Sequence, residues 1–462
     1  LFFVLFSGIY ILNIYLLARS ICNHSGQVLF IVAFASPLIY SLLHVVIHPG
    51  TLSLFMIPCL LYFYQKREKL PYGRRKYTAL LLLLAFSITF FHPVTTLFVL
   101  AIFLTFGLAC ALYSRFLSYE ASKIGHYEIV GKNFLGISLI MFIAFLTWYF
   151  SFAYIQRSFK AVYDWLVYQI GTPLIQATLE PLAEAGLTPL QSFELFLNRY
   201  GAIFLLLLIS GIASVSVLIK SLSRKHNVEP MKFVYAILFL ISLFIGATML
   251  FGYFVESNPV RVARLPLLMG TIVSGLVVYD FVNRVSKKDI AKRKAQRLGF
   301  MIAISMVIVV MVVLSLGSLY GSPRVWDVNQ QVTRMDIVGT EWFGRLKDPN
   351  IPVVTNIPEQ IRRFEHYNFG IDSSAITGAK VESERLPSHF GYDENDRIAE
   401  VLNFEDRYLI IFGLDKAAVL LFRECPSPKV HQYTEEDFAK LNSDPWTAKL
   451  YCNGEFEVWR IY

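Results

Sequence analysis

The chain has 462 residues, of which 55% are hydrophobic and only 16% charged, with a mean hydropathy of +0.51. A soluble domain carries about 25% charged residues, so this composition excludes an ordinary soluble protein and points to membrane spans. The net charge of +8 is no nucleic-acid signal, because the basic residues sit largely in short stretches between apolar runs, where the positive-inside bias puts them.

Ten apolar runs read as transmembrane helices: 1–18, 28–47, 50–64, 78–92, 94–114, 134–155, 202–221, 233–254, 265–282 and 298–318. The first opens on Leu-Phe-Phe, already apolar, with no charged leader or cleavage site, so it is not a signal peptide. The second and third form a helical hairpin around His48-Pro49-Gly50, a turn signal. Each run is close to the length needed to cross a core of about 30 Å at roughly 1.5 Å per residue.

Lys66, Arg67, Lys69, Arg74, Arg75 and Lys76 follow that hairpin, against Glu68 alone. Later loops carry Arg115, Lys123 and Lys132, then Arg224, Lys225 and Lys232, then seven basic residues from Arg284 to Arg297. With ten spans all four loops fall on one side, which the positive-inside rule makes cytoplasmic. The turns at His48 and His92-Pro93, the segments 156–201 and 255–264, and everything after Ser318 are then external. Residue 1 falls on the outer face too, which predicts a further span upstream.

Segment 156–201 has Phe159, Val162, Tyr163, Leu166, Val167 and Ile170 at helical spacing, with Lys160 and Asp164 between them. It reads as an amphipathic helix in the outer interface, followed by short pieces broken at Pro173, Pro181 and Pro189. The tail, 319–462, has soluble composition. It predicts a helix over 332–346, buried strands at Val353–Thr355 and Tyr408–Phe412, and a hairpin turning at Asn453-Gly454. The whole is a polytopic helical membrane domain, 1–318, with an external α/β domain, 319–462.

No Walker A loop, Gly-rich nucleotide fingerprint, CxxC, HExxH or EF-hand loop is present. What remains is polar groups at the outer mouth. His44, His48 and His92 share that level and could move a proton, donate to a phosphate or bind a divalent metal, although the tips supply no obvious carboxylate partner. The bland reading is that they cap helix ends or hydrogen-bond locally. Arg157, Lys160, Arg261 and Arg264 run against the positive-inside bias. The two last are three apart where a helix begins, a fork suited to a phosphate; the alternative is an ion pair with Glu256 and contact with lipid headgroups. Asp164, Glu180, Glu184 and Glu194 are external carboxylates, each a candidate base or part of a solvated face. Asn13 and Ser36-Pro37 read as packing or kink features. Cys22, Cys59 and Cys110 read as core residues, whereas Cys425 and Cys452 could form a disulfide in an external tail.

Three local stretches, Tyr15-Leu-Leu-Ala-Arg19, Ser36-Pro37-Leu38-Ile39 and His48-Pro-Gly-Thr-Leu52, stand on this array of external turns with an outer α/β domain. With Asn329-Gln-Gln-Val-Thr333, Gly339-Thr-Glu-Trp342 and Asn453-Gly-Glu-Phe-Glu-Val458 in the tail, the chain resembles the glycosyltransferase C superfamily, uncharacterised archaeal members in particular. The resemblance implies transfer of a sugar from a polyprenyl-phosphate donor to a glycan, lipid or protein acceptor at the outer face of the cell membrane. Arg261 and Arg264, with Arg157 or Lys160, would hold the donor phosphate. Two departures stand out. The family's key acid lies in the first external loop, which by topology falls upstream of Leu1, and the Trp-Trp-Asp motif of oligosaccharyltransferases is absent. The competing readings are a transporter or flippase, which the lack of an internal repeat disfavours, and a non-catalytic membrane protein whose tail binds a partner.

Overall fold

The structure, a computed structural model, describes residues 2–39, 49–69, 74–116, 125–149, 160, 163, 167–168, 188–223, 228–251, 259–284, 290–319, 332–355, 358–370, 388–403, 405–422 and 433–462. The chain divides into two compact units, one of Leu1–Leu179 and Phe196–Leu319, the other of Glu180–Leu195 and Tyr320–Tyr462.

The first unit is helical: α1 Phe2–Ile21, α2 Ser25–Ile39, α3 Pro49–Lys69, α4 Arg74–Phe91, α5 Pro93–Phe116, α6 Gly125–Tyr149, α7 Pro189–Leu222, α8 Pro230–Phe251, α9 Pro259–Arg284 and α10 Ile290–Gly317. Among the described residues six helices are long and apolar enough to cross a membrane: α1, α5, α7, α8, α9 and α10. The chain is a multi-pass membrane protein. Helix α4 is apolar only beyond Arg74, Arg75 and Lys76, and α3 ends in Gln65, Lys66, Arg67, Glu68 and Lys69, so terminal charge dilutes both.

Helix α9 is the hub. It packs on α2, α8 and α10, and Ser274 meets Ser210 of α7, their hydroxyls 2.8 Å apart. A Cβ on Gly275 would lie 2.6 Å from the backbone N and Cα of Ile31, so only a hydrogen there lets α2 and α9 approach this closely. Helix α10 is the opposite case, with only 11% of its apolar span buried.

Contacts between helix ends reveal the chain direction. At the end carrying the basic stretches, Tyr113 of α5 donates to the carbonyl of Val228 just before α8 (2.8 Å), and Phe281 of α9 meets Phe300 of α10 edge-on at 5.1 Å. Lys232 at the start of α8 is ion-paired with Asp280 near the end of α9. At the opposite end Ser53 of α3 bonds Thr95 of α5, and Phe90 of α4 meets Trp148 of α6. Odd helices thus lie parallel to odd ones and antiparallel to even ones, as a chain reversing at every helix requires.

Two sequence expectations need correction. Lys232 is not a loop charge; it lies buried in the first turn of α8 between Asp280 and Glu229. Pro189 breaks nothing, because it is the first residue of the 34-residue helix α7, a position where its missing N–H is harmless. Thr188 caps that helix: its hydroxyl accepts from the Gln191 N–H (3.3 Å), while the Gln191 side chain accepts from the Thr188 N–H (3.0 Å). Thr188-Pro-Leu-Gln191 is a capping box with proline behind the cap, a signal legible in the sequence but overlooked.

In the second unit α11 (Arg334–Leu346), β1 (Val353–Thr355), α12 (Pro358–Phe369), α13 (Ile398–Val401), β2 (Arg407–Ile411), α14 (Gly413–Phe422), α15 (Glu435–Ser443), β3 (Thr447–Cys452) and β4 (Glu457–Ile461) follow in order. The sheet order is β1-β2-β4-β3, with β1 parallel to β2 and the other pairs antiparallel. Alternation along β2 sends Tyr408 and Ile410 into a core with Phe343 and Phe364, and Leu409 and Ile411 into a second core with Phe390 and Leu441. The expected two-residue turn is longer: Asn453 to Phe456 link the strands, Gly454 has φ +100, and Asn453 Oδ1 accepts from the Phe456 N–H at 2.9 Å.

Candidate functional site at the helix ends

The end opposite the basic stretches gathers polar side chains from several helices. Helices α3 and α5 both begin with proline, and Ser53 in the second turn of α3 hydrogen-bonds Thr95 in the first turn of α5 at 2.9 Å. Thr95 in turn joins His92. Its backbone N–H donates to His92 Nδ1 (3.2 Å), and its hydroxyl is 3.0 Å from the same nitrogen. A nitrogen that accepts an amide N–H carries no proton itself, so the neutral ring is the Nε2–H tautomer. His92 therefore caps α5, the bland reading of this residue realised. Asn13 ties α1 to the same neighbourhood by donating to the carbonyl of Phe55 at 3.1 Å, and Ser36 bonds its own helix beside Pro37.

Arginine is the most costly group here. Arg264 lies in the second turn of α9, inside an apolar span of which 72% is buried. Its side chain is half-buried, with Nε out of contact with solvent. Arg261 stands three residues earlier on the same helix, so both project from one face in sequence terms. Lys160 is exposed, as are Tyr163, Val167 and Tyr168. Glu194 is exposed in the first turns of α7. His44, His48, Arg157, Asp164, Glu180, Glu184, Glu256 and Cys425 lie outside the described residues.

No described carboxylate joins Arg264. Asp280 and Glu229 hold Lys232 at the other end of the unit. Among the described residues, no group of three or more His, Cys, Asp or Glu side chains could hold a metal ion.

The second unit has its acids in structural positions. Asp336 and Asp437 complete capping boxes with Thr333 and Thr434. Asp437 Oδ2 also accepts from His389 Nδ1 at 2.9 Å. Asp444 accepts from the Tyr392 hydroxyl (3.1 Å) and the Ile398 N–H (3.0 Å). Burial, then the Asp444 charge and hydrogen bond, push the Tyr392 phenol well up, so it stays a donor. His389 and Phe390 both adopt left-handed backbone, φ 57 and 53, held by the stack of Phe390 on Tyr433 at 4.2 Å. Cys452 is a free, exposed thiol; the candidate pairing with Cys425 falls on a residue outside the described ones.

No family model matches the chain, and no curated protein matches it. Solved structures of the oligosaccharyltransferase of the archaeon Archaeoglobus fulgidus are similar to it. The form tethered with an acceptor peptide containing the NVT sequon has a TM-score of 0.46 at 11% identity, over 93% of this chain and 60% of that one. The complex with an inhibitory peptide and a dolichol-phosphate has 0.46 at 11%, over 90% and 59%. The apo form has 0.43 at 13%, over 89% and 58%. The chain thus spans about 60% of the length of the solved structures it matches.

Proposed function

We propose that the chain is a membrane glycosyltransferase that moves a sugar from a polyprenyl-phosphate-linked donor to a glycan, lipid or protein acceptor at the extracytoplasmic face. The observation that carries this reading is Arg264. A guanidinium inside an apolar span is expensive, and such residues mark substrate paths. It matches the sequence resemblance, which asks for a cation at the donor phosphate.

In the proposed step the acceptor oxygen bonds to the anomeric carbon as that carbon's bond to the phosphate oxygen breaks. The electron pair leaves with the phosphate, so negative charge grows there. Arg264, with Arg261, meets that growing charge through two-pronged hydrogen bonds. The acceptor's proton goes to a base that no described residue of the first unit supplies.

Arg264→Ala should lower turnover of a polyprenyl-phosphate sugar by about 100-fold or more, and Arg264→Lys should recover only part of it, because a point charge lacks the planar fork. Both proteins should still insert. Wild-type turnover in the alanine variant would remove the assignment and leave Arg264 as a lipid-headgroup contact.

A further inference from the structure

We infer that α11 lays the second unit against the lipid surface. Its inner face is filled: Gly339 touches Phe456, and Phe343 lies in the core with Tyr408. Its outer face should then be polar, as on a surface helix. Instead Met335, Val338 and Leu346 are 48%, 41% and 65% exposed, and half-buried Trp342 completes the row at helical spacing. Val332, just before the cap, extends it at 50% exposed.

Three features on the page choose lipid as the occupant. Trp342 stacks on Tyr451 of β3 at 4.3 Å, and such a tryptophan–tyrosine pair beside an apolar row is the composition of a membrane–water interface. Arg334 and Arg345 are exposed on the same helix, the basic flank of a helix lying in the headgroup layer. The row also begins close behind a membrane helix. Only residues 320–331 separate Leu319 from Val332, a tether that reaches at most on the order of 40 Å when fully extended. Nothing in this inference depends on the glycosyltransferase reading.

The test uses the full wild-type chain in nanodiscs containing a diazirine-bearing phospholipid and some anionic lipid. After irradiation, adducts are mapped by mass spectrometry. Adducts are expected on the peptide 332–346 and on lipid-facing positions of α10 such as Val309 and Val313, with none on Tyr367, which is 73% exposed on α12. Met335→Glu with Val338→Glu should abolish the α11 adducts and leave those on α10. Labelling of α10 without α11 overturns the inference, whether the row is then in water or covered by protein. Equal labelling of Tyr367 and α11 overturns it as well.

Discussion

Glu457 shows at the residue scale how a buried charge is kept. Burial alone would raise its pKa, but the Lys416 ammonium at 2.6 Å, the Lys449 charge at 3.4 Å and the Trp459 indole N–H at 2.9 Å outweigh it and hold the carboxyl below its ordinary value. A group depressed in the folded state contributes stability above its unfolded pKa of about 4.3. That contribution is lost as pH falls through the lower, folded value. Glu457→Gln should therefore weaken the β3–β4 hairpin at pH 7 by about 1–3 kcal/mol, the range for a charged hydrogen bond, and flatten its loss of stability below about pH 5. Amide exchange of residues 447–461 in the full chain, followed against pH, measures both. Unchanged protection at pH 7 would mean that the two lysines are solvated well enough to make the pair idle.

Among elements, the closest approach is that of α2 and α9 at Gly275. Adding a methyl group there forces one helix backbone away from the other, because the obstructing atoms are the N and Cα of Ile31 and not a rotatable side chain. Overpacking of this kind costs about 1–3 kcal/mol. Gly275→Ala should lower the thermal midpoint of the detergent-solubilised protein by several degrees. Gly299→Ala, where nothing lies within 4 Å, should leave it unchanged or raise it. Equal effects at the two sites would contradict the packing described here. Most elements were legible because membrane helices announce themselves by composition: α5 begins and ends within two residues of the run read for it. Strands β1 and β2 were legible as short buried runs for the same reason. The failures were local. Proline at 189 was weighed as a breaker without its flanking capping box, and Lys232 was counted with the loop because an apolar window cannot see a buried ion pair. The candidate site was half legible. The sequence singled out Arg264 by its side of the membrane, but not His92 as a cap, since a histidine's role depends on which nitrogen accepts which N–H.

For the whole molecule the open quantity is which helices cross. The six helices selected by length and apolarity omit α2, α3, α4 and α6. If only those six crossed, the stretch 117–124 between α5 and α6 would lie on the same side as the C-terminal unit. If every helix crosses, it lies on the other side, with the remaining basic stretches. Both counts are even, so the location of the C-terminal unit alone cannot decide. The contacts favour the second arrangement: Ser53 of α3 and Thr95 of α5 meet near the starts of their helices, and Trp148 of α6 meets Phe90 near the ends of α6 and α4. A crossing α5 then has α3 alongside it in the same direction. The charges agree, because Lys66, Arg67 and Lys69 close α3 and Arg74, Arg75 and Lys76 open α4, leaving the rest of both apolar. Hydrophobic length is adequate as well, since α4, with 18 residues, is about 27 Å long. An epitope inserted between residues 117 and 124 should therefore be inaccessible to antibody in intact cells and exposed after permeabilisation, while an epitope at Tyr462 should be accessible in both. An accessible tag at 117–124 in intact cells would reduce the crossings to fewer than ten, and would place His92 on the side opposite to the one proposed for the donor phosphate.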